Sequence, residues 1–344
     1  MQAALLYGPS DLRVEDVAIP SISGEQVLVR VAAVGVCASD VKTFRGVYRS
    51  RVFEYGADSY GISGHEWSGE VVKVGEKVNH LSLGDRIVPE IIVPCNICKM
   101  CRMGFSNLCI SKKPVLRGYA EYAMAMGRYC YKIPKNVSYK EAALTEPVAV
   151  SIRAVQKTSC KPGDTVLVVG AGPMGLIISM VAKAFGLKVL VSEVRAERLA
   201  RARDVGVDRV INPLEEDLAA VVKSECEGLG ADGVILATGA KQAIETAVTT
   251  ARPGANIVLF ASTYPKEDIV LDPNLIHYRE LNVTGSYDHL PDDMVRALDF
   301  MSRKQIDVMK VVSRFYRLNE LEEAFLYWEK SLGLKPMVLV GESP

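Results

Sequence analysis

Cys95, Cys98, Cys101 and Cys109 stand in one short run, PCNICKMCRMGFSNLC, with the spacing C-x2-C-x2-C-x7-C. Four thiolates this close can surround a single tetrahedral Zn²⁺, with Zn–S bonds of about 2.3 Å. Such a set leaves no open coordination position, so the lobe at about 93–111 reads as a structural zinc site. Other donor types are dispersed. Cys37 and Ser39 lie in GVCASD just after an apolar run, and His65 and Glu66 lie in GHEWSGE, flanked by glycines. Taken alone, such a cysteine is more often a small buried hydrophobe, and such a histidine a satisfied core or surface residue.

A third pattern, TVLVVGAGPMG, places Gly170, Gly172 and Gly175 after an apolar strand and at the start of a helix. Gly170 permits the tight turn, Gly172 lets the backbone approach a pyrophosphate, and Gly175 allows close strand–helix packing. The helix N-terminus offers free N–H groups and partial positive charge to the phosphates. About 20 residues on, the next apolar strand ends at Glu193, where a carboxylate can accept hydrogen bonds from ribose hydroxyls and repel a 2′-phosphate. That favours NAD over NADP, although Arg195 and Arg198 stand close enough in sequence to meet a phosphate.

The elements that must carry these residues change texture along the chain. Through the first third, apolar or alternating runs at 3–7, 26–33, 69–74, 86–92 and 120–126 are separated by turn pairs such as Ser23-Gly24 and Gly84-Asp85, the pattern of short strands. From about Thr165, strand-like runs (165–170, 188–193, 233–238, 256–261) alternate with helical ones (174–185, 196–205, 218–226, 242–252), the signature of βαβ units around a parallel sheet. A further helix is expected at 292–303 and a short strand at 336–340. The boundary is placed near 147–157.

Composition excludes several classes. The 344 residues, 49% hydrophobic and 24% charged, suffice for two domains with sizeable cores. Lys+Arg and Asp+Glu balance at 41 each, so neither a nucleic-acid nor an anionic-membrane partner is expected. No apolar run approaches the roughly 20 residues of a membrane-spanning helix. The N-terminal MQAALLYGPSDLRVEDV has neither a basic n-region nor a long apolar core, so a signal peptide is not expected. Eight cysteines in that setting suit metal ligands and buried thiols, and a cytoplasmic location. Cys130, Cys160 and Cys226 have no assigned role, and Trp67 and Trp328 read as packing.

Together, the Cys37 segment, the GHE at 64–66, the four-cysteine lobe, Glu146-Pro147 and the GxGxxG at 170–175 occur in an order that resembles the zinc-containing medium-chain dehydrogenases over nearly the whole chain. The resemblance implies an α/β two-domain protein. A GroES-like β-rich catalytic domain spans 1–150, a Rossmann doubly wound parallel sheet spans 151–287, and 288–344 returns to the catalytic domain, with the active site in the cleft between them. Cys37, His65 and Glu66 become ligands of a catalytic zinc, with Glu146 as a further ligand or the partner of its water, giving two zinc ions per subunit. Relatives that are alcohol dehydrogenases usually carry a cysteine at the Glu146 position. The Glu-Pro here looks more like the sorbitol (polyol), threonine and galactitol-phosphate dehydrogenases.

The implied reaction is oxidation of a secondary alcohol. Zinc lowers the pKa of the substrate hydroxyl, and hydride passes to C4 of the nicotinamide. Ser39 matches the proton-relay hydroxyl of the family. Lys42 stands where many relatives have a relay histidine, and it reads as a solvated side chain. Met174, Glu193, Arg198, Thr238, Phe260, Ala261, Ser262, Ser286 and Tyr287 are the implied cofactor contacts. Asp288 and His289 replace the substrate-facing arginine and tyrosine of sorbitol dehydrogenases. Arg45, Arg49 and Arg51 are candidates to bind an acidic or phosphorylated substrate, or else form a solvated loop. A homo-oligomer braced by the zinc lobe is expected, a tetramer before a dimer. The alternatives within enzymes are L-threonine 3-dehydrogenase and a polyol-phosphate dehydrogenase. A catalytically silent relative is the remote one.

Overall fold

A computed structural model describes residues 1–47, 53–263 and 265–341. The chain separates into two compact units. One comprises Met1–Glu146, Leu290–Ser302 and Val311–Pro344, and the other Pro147–His289 and Arg303–Lys310.

The first unit opens with a hairpin of β1 (Gln2–Gly8) and β2 (Asp11–Asp16). β3 (Gln26–Gly35) is its spine. The sequence QVLVRVAAVG is rich in β-branched residues and mostly buried, as suits a strand with neighbours on both sides. Antiparallel to it runs β4 (Glu66–Val74), in a register that sets Gly35 opposite Glu66. Between the two strands, α1 (Ala38–Phe44) is opened by a capping box of Cys37 and Asp40. The single strand expected at 86–92 is instead two. β5 (Arg86–Pro89) stops at a residue without an N–H, and β6 (Ile92–Val93) pairs with β7 (Lys113–Pro114). That small ladder frames the cysteine lobe, which contains α2 (Lys99–Arg102). β8 (Tyr122–Met126) pairs with β3, and β9 (Cys130–Lys132) with β5. Next comes α3 (Tyr139–Ala142), capped by Ser138 and Glu141.

The division at 146/147 falls inside α4 (Thr145–Lys157), at the start of the expected 147–157 range. In the second unit, β10 (Thr165–Val169) is buried at every position, as a central parallel strand must be. The chain continues as α5 (Pro173–Ala184), β11 (Lys188–Ser192), α6 (Ala196–Asp204), β12 (Arg209–Ile211), α7 (Leu218–Glu225), β13 (Ala231–Leu236), α8 (Lys241–Ala247), β14 (Ala251–Leu259), α9 (Pro273–Tyr278) and β15 (Asn282–Gly285). The sheet order β12-β11-β10-β13-β14-β15 is parallel throughout and reverses between β10 and β13. The helix expected at 242–252 ends early. Thr250 donates its hydroxyl to the Ala247 carbonyl, and Ala251 is already paired in the sheet.

The chain then returns with α10 (Pro291–Ser302) to the first unit, where Asn136 and Ser302 exchange two hydrogen bonds. Residues 303–310 belong with the second unit rather than with the returning segment, because Lys310 donates to the Asp204 carbonyl at the end of α6, 2.7 Å away. β16 (Val312–Arg317), α11 (Leu321–Glu329) and β17 (Lys335–Leu339) complete a seven-stranded sheet, β16-β17-β3-β4-β5-β9, with β8 also on β3. Trp67, Phe44, Tyr119 and Phe325 lie in its core, the rings of Phe44 and Tyr119 both against Phe325 at 5.5 and 5.6 Å.

Candidate active site and metal centres

In the first unit, donor atoms of Cys37, His65 and Glu66 come within 4.8 Å of one another. Cys37 ends the stretch that leaves β3, and His65 and Glu66 lead into β4. The antiparallel pairing of these strands therefore brings together candidate ligands 28 and 29 residues apart in sequence. The His65 ring is oriented from behind. Its Nδ1 faces two acceptors, the Ser63 carbonyl at 3.0 Å and Asp40 Oδ1 at 3.1 Å, so Nδ1 carries a hydrogen and Nε2 is the nitrogen left for a metal to take. Burial opposes charge on both partners. Even so, the Asp40 carboxylate, with the Cys37 sulfur beside it, holds the His65 pKa well above the ordinary histidine value, and His65 holds that of Asp40 down.

Glu66 is 1% exposed and its oxygens lie 2.7 Å from the Lys335 ammonium, itself 3% exposed. Burial works against the lysine charge, yet Glu66, with Cys37 behind it, raises the Lys335 pKa. Lys335 also donates to the Val36 carbonyl at 3.1 Å. Oε1 takes the directed hydrogen bond. Oε2, equally near the ammonium, has no hydrogen-bond partner among the described residues, which leaves a buried lone pair at the donor group. A thiol, an imidazole lone pair and an orphaned carboxylate oxygen make a donor set that fits Zn²⁺ with a position left open. Gly35 is required here, since a Cβ would collide with Glu66 Oε2.

Glu146 does not join this three-residue group. It lies in the first turn of α4 and acts on Lys335 through charge. Ser39 is half-buried on the first turn of α1. Lys42 is half-buried in the same helix. Arg45 is held by Glu329 (2.6 and 2.9 Å) and Ser10, so its guanidinium is already engaged. Arg49 and Arg51 fall outside the described residues.

Cys95, Cys98, Cys101 and Cys109 also converge within 4.8 Å. The Cys98 sulfur lies 3.5 Å from that of Cys101 and 4.0 Å from that of Cys109. Tetrahedral ligands at 2.3 Å from one ion stand about 3.8 Å apart, so the lobe fits zinc. Backbone N–H groups point at the sulfurs: Cys95 and Ser111 donate to Cys109, and Cys98 to Cys95. The Cys98 thiol is pulled down to about 6, first by the backbone N–H groups of Cys101 and Ile110. Cys130 and Cys160 are pushed up to about 12 and about 11 by burial, as inert packing thiols would be.

In the second unit, the implied cofactor residues share the carboxyl edge of the parallel sheet. Gly170, Gly172, Met174 and Gly175 follow β10, Thr238 follows β13, Phe260, Ala261 and Ser262 follow β14, and Ser286 and Tyr287 follow β15. Thr238 lies two residues beyond its strand, where its hydroxyl accepts from Ala240 N–H at 3.2 Å. The glycine turn sits at the switch between β10 and β13, the place where open α/β sheets bind ligands. A Cβ on Gly175 would overlap the Gly170 carbonyl oxygen, whereas Gly172 is open apart from Arg198 Nη1 at 3.8 Å. This open backbone at the N-terminus of α5 fits a pyrophosphate.

Glu193 does more than end β11. Its carboxylate accepts from Ala171 N–H of the glycine turn (2.9 Å) and from Val194 and Arg195 N–H (2.8 and 3.1 Å), with Arg198 at 3.7 Å. It clips the glycine turn to the β11–α6 loop. Asp288 accepts from His289 N–H at 2.9 Å and lies 3.1 Å from Nδ1 of that buried ring.

Sequence reasoning missed Asp40, Ser63, Tyr119 and Lys335. Asp40 and Ser63 lie within three residues of a ligand, a spacing that could have drawn attention to them. Tyr119 and Lys335 carry no local signal.

Comparison with known proteins gives a consistent picture. Residues 23–135 match an alcohol dehydrogenase GroES-like domain, and residues 173–303 a zinc-binding dehydrogenase domain. Sorbitol dehydrogenase of Homo sapiens is 33% identical over 342 residues, 97% of this chain and 94% of the human one. D-arabitol-phosphate dehydrogenase of Enterococcus avium is 31% identical over 318 residues, 90% of this chain and 88% of that one. Among solved structures, an oxidoreductase/dehydrogenase of unknown specificity from Escherichia coli superposes with a TM-score of 0.91 at 27% identity, covering 99% of this chain and 100% of that one. A zinc-binding dehydrogenase from Sinorhizobium meliloti, bound to NADP, superposes at 0.89 with 26% identity and 98% of each chain covered. An alcohol dehydrogenase from Escherichia coli complexed with NADH does so at 0.88 with 27% identity, covering 98% and 99%.

Proposed function

We propose a reaction for this chain, which belongs to the zinc-containing medium-chain dehydrogenase/reductase family in its sorbitol and polyol branch: the NAD-dependent oxidation of a secondary alcohol of a polyol, sugar alcohol or sugar-derived substrate to a ketone. The carrying observation is the convergence of Cys37, His65 and Glu66, with the His65 ring oriented by Asp40. When bound, zinc supplies Lewis acidity to the alcohol oxygen and the nicotinamide accepts the hydride. The protein's share is to hold the donor set, to offer Ser39 as a hydroxyl for the departing proton, and to place Glu146 beside the set as the partner of a water. The lobe closed by Cys95, Cys98, Cys101 and Cys109 takes a second, structural zinc.

NAD is the proposed cofactor. Glu193 presents a buried carboxylate at the glycine turn, and an anion there disfavours a 2′-phosphate. NADH and NADP each occur in a structural neighbour, so the discrimination rests on this chain's own residues. Sorbitol and D-arabitol phosphate, the substrates named for the relatives, bracket the proposed range. The phosphorylated end draws no support from Arg45, whose guanidinium is engaged by Glu329.

A homo-oligomer, a tetramer before a dimer, is proposed through the lobe, whose Ile97 and Ile110 are 71% and 80% exposed. The cytoplasm is the proposed compartment, in keeping with eight unpaired thiols.

The test is turnover of polyols, sugar phosphates, inositols and β-hydroxy amino acids with NAD and NADP in parallel, with zinc analysis of the same sample. Cys37→Ser is expected to abolish turnover and leave NAD binding within about twofold. Equal loss of both would refute the division of labour. Glu193→Ala is expected to weaken NAD and raise the NADP/NAD ratio of kcat/KM, and an unmoved ratio removes Glu193 as the discriminating acid.

A further inference from the structure

We infer that the hydroxyls of Ser63 and Tyr119 are positioning groups for the Cys37–His65–Glu66 donor set, acting through Asp40. The inference rests on the reading of that set as a zinc site.

Asp40 is 1% exposed, and a carboxylate offers about four acceptor sites on its two oxygens. Four donors meet it. Oδ1 receives Ser63 Oγ–H at 2.8 Å and faces His65 Nδ1 at 3.1 Å. Oδ2 receives Cys37 N–H at 2.9 Å and Tyr119 Oη–H at 2.7 Å. Each oxygen therefore takes one donor from a residue of the donor set and one from the hydroxyl of a residue outside it.

The arrangement has a physical consequence. The two ligand residues lie on different chain segments, and one carboxylate plane orients both. Were the hydroxyls absent, that plane would be set by its own ligand contacts alone and could rotate as the ligands moved. With both hydroxyls in place, Asp40 is fixed from outside the metal site, so the imidazole and the Cys37 backbone are held before any ion arrives. Less reorganisation is then needed to bind zinc, and less is released when it leaves.

Tyr119 suits a clean test because its ring is anchored separately. It packs edge-on against Phe325 at 5.6 Å in a fully buried position. Tyr119→Phe therefore removes the hydroxyl and keeps the packing.

The experiment is zinc release from the purified protein to excess chelator, followed with a metallochromic dye. The four-cysteine lobe serves as an internal control, since its zinc should leave in a separate phase. Outer-shell contacts of metal ligands change metal affinity by about 10–100-fold. Tyr119→Phe and Ser63→Ala are each expected to speed release from the Cys37–His65–Glu66 set about tenfold, and the double variant to approach about 100-fold. The lobe phase should not change, and Ser63→Thr, which keeps the hydroxyl, should restore slow release. A double variant within about twofold of wild type overturns the inference while leaving the zinc reading intact. Equal acceleration of both phases, or no rescue by Ser63→Thr, also overturns it, because that is general loosening of the fold. A wild-type protein that binds only one zinc, released in the lobe phase, overturns the zinc reading itself and this inference with it.

Discussion

The buried pair of Lys335 and Glu66 gives the sharpest test of the site's energetics. Lys335→Met keeps an unbranched apolar stem of similar reach and removes the ammonium that lies 2.7 Å from both Glu66 oxygens. At that distance and an effective dielectric of 20, the attraction is about 6 kcal/mol. Part is returned because the lysine no longer has to be desolvated. The net cost of stranding one buried partner is about 3–5 kcal/mol. For a domain of 150–250 residues, each kcal/mol moves the melting temperature by about 2–4 °C, so the expected fall is roughly 6–20 °C in metal-free protein. The assay is urea and thermal unfolding followed by tryptophan fluorescence. Both tryptophans, Trp67 and Trp328, lie in the first unit, so the signal reports the unit that contains the pair. Lys335→Met/Glu66→Gln should recover most of the loss, because a neutral amide needs no counter-charge. Bound zinc should also recover part of it, by supplying the positive charge that the lysine no longer does. A metal-free Lys335→Met variant within about 1 kcal/mol of wild type, well short of the cost of a stranded buried charge, would refute the argument.

Gly175→Ala is expected to abolish NAD binding and destabilise the second unit, because its Cβ would overlap the Gly170 carbonyl oxygen; overpacking of this kind costs about 1–3 kcal/mol or more. Calorimetric NAD titration checks it, and retained affinity would show that the turn can open without loss. Cys98→Ser is expected to leave one zinc per chain in place of two, with turnover reduced far less than by Cys37→Ser; metal analysis beside a rate assay decides this. A loss of both zincs would mean that the lobe also shapes the donor set.

Much of the fold was legible because local rules dominate where strands and helices are regular. The run TVLVV announced a buried parallel strand, and PMGLIISMVAKA the helix after it, since burial on all sides and proline at the first helical position are local facts. Reading failed where pairing decides. Residues 242–252 carry a helical pattern, but Ala251 is claimed by β13 and the helix is cut short. Residues 86–92 look like one strand, but Pro89 ends the ladder with β9 and Ile92 finds a different partner.

The same distinction holds for the sites. The candidate site residues were written in short motifs: the four cysteines lie within fifteen residues, and the glycines and Glu193 keep the spacing of one βαβ unit. A closed loop of chain can bring such residues together, so spacing alone was enough to foresee the convergence of the four cysteines and the glycine turn after β10. The Cys37–His65–Glu66 set is different, because its geometry depends on a strand register, a missing Cβ at Gly35 and charges brought from afar. Lys335 lies 269 residues from the carboxylate it neutralises, and Tyr119 lies 79 from the Asp40 it bonds. Buried charges and hydroxyls need partners wherever the chain can supply them, and that requirement has no sequence period. Only the tertiary structure could decide which residues meet it.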